Sequence, residues 1–156
     1  MAGSHVRVSG SGGTSTRPIV YSSKSPGICT VSQWGVLVGL SAGECQVVAK
    51  RRGNDAYLSM ASDPISITVQ RRPQRELHVA TYVMALTKGS LADLFTYGGS
   101  GKGATSYKSL TPAVCDVSSN GYVIPHVSGE CTLQATKSGT DVYLDTTSSP
   151  FTLPVR

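Results

Sequence analysis

The chain has 156 residues and a net charge of +5; 39% of its residues are hydrophobic and 15% are charged. This length accommodates one or two small domains. No uninterrupted apolar run approaches the roughly 18 residues of a membrane-spanning helix, so we expect no membrane span. The opening residues, Met1–His5, do not form a signal peptide and resemble a cloning remnant, so we expect any native export signal to have been left out.

The first half of the chain predicts short β-strands separated by turns. Trp34-Gly35 predicts a turn, and apolar side chains then alternate with polar ones along Cys45–Ala49. Gly53-Asn54-Asp55 predicts another turn, in which the Asp side chain would bond to its own backbone. The closing strand, Ile65–Val69, again has a period of two, which is typical of a strand with one buried face.

A basic segment joins the two halves and contains Arg71, Arg72 and Arg75 against Glu76. We interpret residues 71–76 as a solvated linker that keeps two domains apart. Binding of an anionic partner is the alternative, because clustered basic side chains attract polyanions. No aromatic side chains lie between these arginines, so a nucleic-acid partner is not expected.

The second half repeats the first at a constant offset of 86 residues, so that Cys115 and Cys131 correspond to Cys29 and Cys45. Ser119-Asn120-Gly121 predicts a hairpin between 115–118 and 122–127, because Asn and Gly both accept positive φ. In the second copy we expect further strands over 77–86, 91–97 and 104–108. The counterpart of 77–86 in the first copy would precede residue 1.

These elements predict an all-β protein of two tandem antiparallel β-sandwiches. Residues 1–70 form the first, N-terminally truncated repeat, and residues 71–156 form the second. The missing strand would leave an exposed sheet edge in the first domain, where a neighbouring chain could pair.

The four cysteines, two in each copy at identical spacing, admit three interpretations: disulfides, ligands of a metal, or buried free thiols. We favour disulfides between Cys29 and Cys45 and between Cys115 and Cys131, because no CxxC pair is present and the three histidines fall at non-equivalent positions. Disulfides indicate an oxidising compartment, so we expect an extracellular or cell-surface location.

The sequence predicts no catalytic residues, no cofactor and no metal, because serines have no repeated histidine partner and carboxylates are not paired. The candidate ligand-binding residues are those that occur in only one copy: Trp34, Lys50, Arg51, Arg52, Arg71, Arg72 and Arg75. An exposed Trp34 would be a binding anchor. We favour the alternative that Trp34 packs on its own or the neighbouring domain.

The pattern SPxxCxVS…G…AGxC…A…GxxxY…S.P…V resembles the bacterial immunoglobulin-like (Big-type) repeats of large secreted and surface-anchored proteins. The resemblance implies two immunoglobulin-like sandwiches in a non-enzymatic stalk or adhesin segment of a bacterial or phage surface protein. The alternative is a recognition module that binds glycan or an anionic polymer through Trp34 and the basic segments. A cell-surface glycan or another surface protein would then be the partner.

Overall fold

The computed structural model describes residues 1–156 and contains 15 β-strands and no helix, so no helix is present that could cross a membrane. The chain divides into two compact units, Met1–Arg72 and Pro73–Arg156. The all-β prediction is confirmed. Each unit consists of two antiparallel sheets, in an immunoglobulin-like sandwich.

The first unit contains seven strands: β1 (His5–Arg7), β2 (Ile19–Ser23), β3 (Cys29–Val31), β4 (Val36–Gly39), β5 (Gly43–Arg51), β6 (Met60–Ala61) and β7 (Ile65–Val69). One sheet has the order β1-β4-β3. In the other, β5 is central and pairs with β2 on one side and with β6 and β7 on the other. The alternation along β5 orients its apolar residues toward the facing sheet, because successive strand side chains point to opposite faces.

The second unit contains eight strands: β8 (Leu77–Thr81), β9 (Ala92–Gly98), β10 (Thr105–Ser109), β11 (Cys115–Val117), β12 (Tyr122–Pro125), β13 (Gly129–Lys137), β14 (Thr146–Thr147) and β15 (Phe151–Val155). One sheet has the order β11-β12-β9-β8, and the other is centred on β13, which pairs with β10, β14 and β15. The core between them includes Leu77, Val123 and Leu133, each at most 1% exposed.

The two units share their strand register as well as their sequence pattern. Val6 pairs with Leu37 in the first unit, and Ala92 pairs with Val123 at the corresponding position of the second. The difference lies at one edge. The first unit's smaller sheet has three strands and contains no counterpart of β8, whereas the second has four.

The predicted hairpin is present between β11 and β12, with Ser119–Gly121 as its loop. Only Gly121 has a positive φ, of 91°, and Asn120 does not. The amide of Gly121 donates to the carbonyl of Ser118 at 3.0 Å, and the amide of Ser118 donates to the carbonyl of Tyr122 at 2.9 Å. This is the geometry of a three-residue loop whose last residue is a left-handed glycine, which requires only one positive φ.

The turn after β5 is closed by a different side chain from the one predicted. The Oδ1 of Asn54, rather than Asp55, accepts from the amides of Ala56 and Tyr57 at 3.1 and 2.9 Å. Asn has the same short acceptor as Asp, one residue earlier, and can therefore form the same local turn. In the second unit Thr140 accepts from the amide of Val142 at 3.2 Å.

The basic junction is not simply a solvated linker, because Gln74 is bound into the second unit. Its Oε1 accepts from the amides of Ser100 and Gly101 at 3.1 and 2.9 Å. Its Nε2 donates to the carbonyl of Leu144 at 2.9 Å and makes longer bonds to the carbonyls of Lys137 and Ser138. Gln74 thus connects the glycine-rich loop before β10 to the segment after β13.

Candidate functional site

A disulfide joins the two sheets in each unit. Cys29 of β3 is bonded to Cys45 of β5, and Cys115 of β11 is bonded to Cys131 of β13, each with a Cα–Cα separation of 5.6 Å. All four cysteines are 0% exposed and none is free. No group of three or more His, Cys, Asp or Glu side chains has an arrangement that could hold a metal ion. Each bridge joins cysteines 16 positions apart in the sequence. In the chain-entropy model, closing a loop of this length stabilises the folded unit by about 3 kcal/mol.

Arg51, the last residue of β5, has a structural role. Its Nη1 donates to the carbonyls of Ser15 and Arg17 at 2.9 and 2.7 Å. The side chain also covers Gly13, where an added Cβ would lie 2.9 Å from the Cδ of Arg51. Arg51 therefore fixes the loop before β2, and its guanidinium is engaged in doing so.

Lys50 and Arg52 contribute to an open concavity that the sequence did not define. It has a volume of 610 Å³, and Arg17 adds a third cation to it. We call it the basic concavity, and its remaining lining residues are Gly53, Asn54, Asp55, Tyr57, Leu58 and Ser59. Three basic residues and one acidic residue line the concavity, and such an excess of positive charge attracts anions.

The basic concavity is specific to the first unit. At the offset of 86 residues, Arg17, Lys50 and Arg52 correspond to Gly103, Thr136 and Ser138. Spacing alone could not group Arg17 with Lys50. The pairing of Ile19 with Arg51 between β2 and β5 is what brings the two segments together.

Trp34 does not pack on its own unit, contrary to that part of the favoured interpretation. It is 67% exposed at the turn between β3 and β4. Gly35, which follows Trp34 in this turn, is in the left-handed conformation, with φ of 84°. Trp34 is not among the residues that line the basic concavity, so the structure does not combine these two predicted features into one site.

The three junction arginines differ in their surroundings. Arg71 is exposed, whereas Arg72 is half-buried, with its Nη1 3.1 Å from the position of a Cβ on Gly3. Arg75 belongs to the second unit, where its amide donates to the Oγ of Ser100 at 3.1 Å.

An aromatic surface on the second unit was missed by the sequence analysis. The rings of His78 and Tyr97 stack with centroids 4.9 Å apart, and those of Tyr82 and Phe95 stack at 4.7 Å. Tyr82 is 89% exposed and Tyr97 is 56% exposed. The signal that could have identified it is the alternation along β9, where Phe95 and Tyr97 fall on the face opposite to the buried Leu94. We call these four residues the aromatic face.

Comparisons with known proteins give structural neighbours but no family. No protein-family model and no curated protein matches the chain. It is similar to a structure of domains 4 and 5 of the S-layer protein SbsC, at 21% identity and a TM-score of 0.32, covering 88% of this chain and 69% of that one.

Two further structures match with similar TM-scores. Domains 4–9 of SbsC match at 20% identity and a TM-score of 0.34, covering 94% of this chain and 22% of that chain. Mouse protocadherin-24 EC1-3 matches at 10% identity and a TM-score of 0.34, covering 88% of this chain and 58% of that chain. The description of the fold rests on the strand pairing and core of the chain itself.

Proposed function

We propose that this chain is a non-enzymatic, extracellular segment of a larger bacterial or phage surface protein, built from two repeats of the bacterial immunoglobulin-like (Big) type. The repeats correspond to residues 1–70 and 71–156. Their role is structural: they space or present an adhesive region at a cell or particle surface.

The observation that supports this proposal is the buried disulfide between the sheets of each unit. Cys45 and Cys131 lie on the central strands β5 and β13, which carry most of the strand pairing of their sheets. A covalent bond from that strand to the opposite sheet stabilises a small domain, which has little core of its own. Such bonds persist in oxidising compartments, which supports an extracellular location.

A spacer function can be tested by surface display. An epitope tag is anchored to a bacterial surface through no copy, one copy or two copies of the chain, or through Gly/Ser linkers of equal residue number. We expect the tag to become more accessible to a large antibody with each copy and to exceed the matched flexible linkers, because folded units hold their ends apart. Equal accessibility with the chain and with the flexible linkers would contradict the spacer role.

A second candidate function is recognition of a glycan or an anionic polymer, which the basic concavity and the exposed Trp34 favour. The expected ligand is a polyanion or acidic glycan, because Lys50 and Arg52 lie together in an open concavity with Arg17. Surface charge of this kind produces binding that weakens with salt.

The recognition candidate is tested by retention on immobilised heparin as a generic polyanion. The K50E/R52E double variant is compared with K24E/K88E, which changes the net charge equally, because Lys24 and Lys88 are exposed lysines that do not line the concavity. Elution of K50E/R52E at clearly lower salt than K24E/K88E would support the candidate, and coincident elution would refute a role for the concavity. A glycan-array signal lost in W34A would support the role of Trp34.

A further inference from the structure

The aromatic face lies on a sheet surface of the second unit that contains no lysine or arginine. The four strands of this sheet, β8, β9, β11 and β12, have neither residue. Along β9, Asp93, Phe95 and Tyr97 alternate with the buried Leu94, so they project from the outer side of the sheet. Tyr122 of β12 pairs with Asp93 and is 49% exposed. The surface thus combines exposed aromatic rings with a carboxylate.

The carboxylate and the rings of this surface are available to a partner. Asp93 is exposed and belongs to neither of the two ion pairs of the structure. Tyr82 is the most exposed aromatic side chain, at 89%, so its ring, which stacks on Phe95 with one side, is open to solvent on the other. Because Thr81 pairs with Leu94, Tyr82 and Asp93 are neighbours at the next position of the two strands.

This arrangement selects a partner that carries both positive charge and apolar surface. A guanidinium or ammonium group is attracted to the open side of an aromatic ring, and a carboxylate beside the ring adds an ion pair. Anionic partners are disfavoured, because Asp93 has no neighbouring lysine or arginine in the sheet to offset its charge. Exposed apolar groups on a small domain often mark an interaction site.

The first unit has the complementary surface. Arg17, Lys50 and Arg52 of the basic concavity are all exposed. Leu58, which lines the same concavity, is 94% exposed and adds an apolar group beside these cations. A basic surface with an exposed leucine is therefore present on the same chain as an acidic surface with exposed aromatic rings.

Each of these surfaces is found on only one repeat. At the offset of 86 residues, Asp93, Phe95 and Tyr97 correspond to Arg7, Ser9 and Ser11, so the first unit has no equivalent of the aromatic face. The second unit has none of the three cations of the basic concavity. The two repeats therefore differ in the features that make them complementary.

We infer that the aromatic face of one copy of this chain binds the basic concavity of a second copy. The cations of the concavity lie over Tyr82 and pair with Asp93, and Leu58 packs against the rings. The observation that selects this occupant is the complementarity of charge between the two surfaces, which favours association and opposes pairing of like surfaces. The inference goes beyond the spacer role and does not depend on it.

The contact is heterologous, because each copy contributes a different surface. A pair of copies therefore keeps one free surface of each kind and can add further copies. We expect the average mass in analytical ultracentrifugation to rise with concentration beyond that of a dimer. The dissociation constant should be on the order of 10–100 μM, as for a small and transient interface, and should increase with salt.

Two variants each remove one surface. Y82S/D93K changes two exposed side chains of the second unit, and its matched control is E130K, because Glu130 is exposed on the other sheet and the net charge changes equally. K50E/R52E alters the basic concavity, and its control is K24E/K108E, which changes two exposed lysines outside both surfaces. We expect both surface variants to be at least about tenfold weaker in self-association than their controls.

Mixing the two surface variants provides the decisive test. Each variant retains the surface that the other has lost, so an equimolar mixture should form dimers and nothing larger. A mixture that stays monomeric would overturn the proposal, as would a wild-type chain that is monomeric up to about 1 mM. Self-association of K50E/R52E equal to that of K24E/K108E would also overturn it, because the concavity would then not be part of the contact.

Retention on heparin separates this inference from the polyanion candidate, which uses the same concavity. Y82S/D93K should lose self-association but elute from heparin with E130K, because its concavity is intact. Loss of heparin retention in K50E/R52E, with a wild-type chain that does not self-associate, would support the polyanion candidate and overturn the association of copies.

Discussion

Each unit contains the same hydrogen-bonded pair of an alanine and a serine, but the serine is buried in the second unit and exposed in the first. In the second unit, the Oγ of Ser148 accepts from the amide of Ala135 at 3.0 Å, and the amide of Ser148 donates to the carbonyl of Ala135 at 2.8 Å. In the first unit, Ser62 and Ala49 make the same two bonds at 3.1 and 2.9 Å. The difference is that Ser148 is 3% exposed, whereas Ser62 is exposed to solvent.

Substitution by alanine should therefore have unequal effects in the two units. Ser148→Ala leaves the amide of Ala135, a residue that is 0% exposed, without its side-chain acceptor, which should lower the free energy of unfolding of the second unit by about 2 kcal/mol. Ser62→Ala leaves an amide that water can reach, so the first unit should lose about 0.5 kcal/mol or less.

The two free energies can be measured separately in the intact chain by amide hydrogen exchange observed by NMR. The slowest-exchanging amides of each unit report the unfolding free energy of that unit. Ser149→Ala is the control, because Ser149 is exposed and next in sequence to Ser148. Equal losses for Ser148→Ala and Ser62→Ala, or a loss below about 0.5 kcal/mol for Ser148→Ala, would refute the reasoning.

Three further predictions concern the second unit. Removal of its disulfide by C115A/C131A should lower its unfolding free energy by about 3 kcal/mol in urea denaturation, and a loss no larger than that of a surface variant would contradict the loop-closure estimate. Gln74→Ala should cost about 2 kcal/mol by the same assay, since the side-chain amide that contacts five backbone groups is lost, and unchanged stability would show that water replaces it. Gly121→Ala should cost about 1–2 kcal/mol, because φ is 91° there and the new Cβ would lie 3.0 Å from the carbonyl oxygen of Leu94; thermal unfolding at the wild-type temperature would contradict this.

The strands of both units could be predicted from sequence because their inward faces are marked by alternation. Along β5, Cys45 and Val47 are buried while Gln46 is exposed, and the same is true of Leu153 between Thr152 and Pro154 in β15. The repeat adds a second, independent instance of each pattern. Burial of one strand face is a local property, and local sequence therefore reports it.

The candidate binding surfaces could not be predicted in the same way. Arg17 joins Lys50 only through the pairing of β2 with β5, which places residues more than thirty positions apart side by side. The role of Arg51 could not be predicted either, because its hydrogen-bond partners, the carbonyls of Ser15 and Arg17, are distant in the sequence. The sequence also could not decide whether Trp34 packs on its unit, because packing depends on which side chains the fold places beside it. These features are products of strand pairing and turn geometry.

The disulfides also determine how far each unit can lengthen if its ends are pulled apart. The bridge between Cys115 and Cys131 spans 16 positions and holds their Cα atoms 5.6 Å apart. A fully extended segment of that length would measure roughly 50 Å. Because the disulfide is covalent, this segment cannot extend even after the strands separate. A unit that opens under tension would therefore release a shorter length of chain than its residue number implies. The central strand and the facing sheet would remain tethered, close enough to re-form their contacts when the force falls.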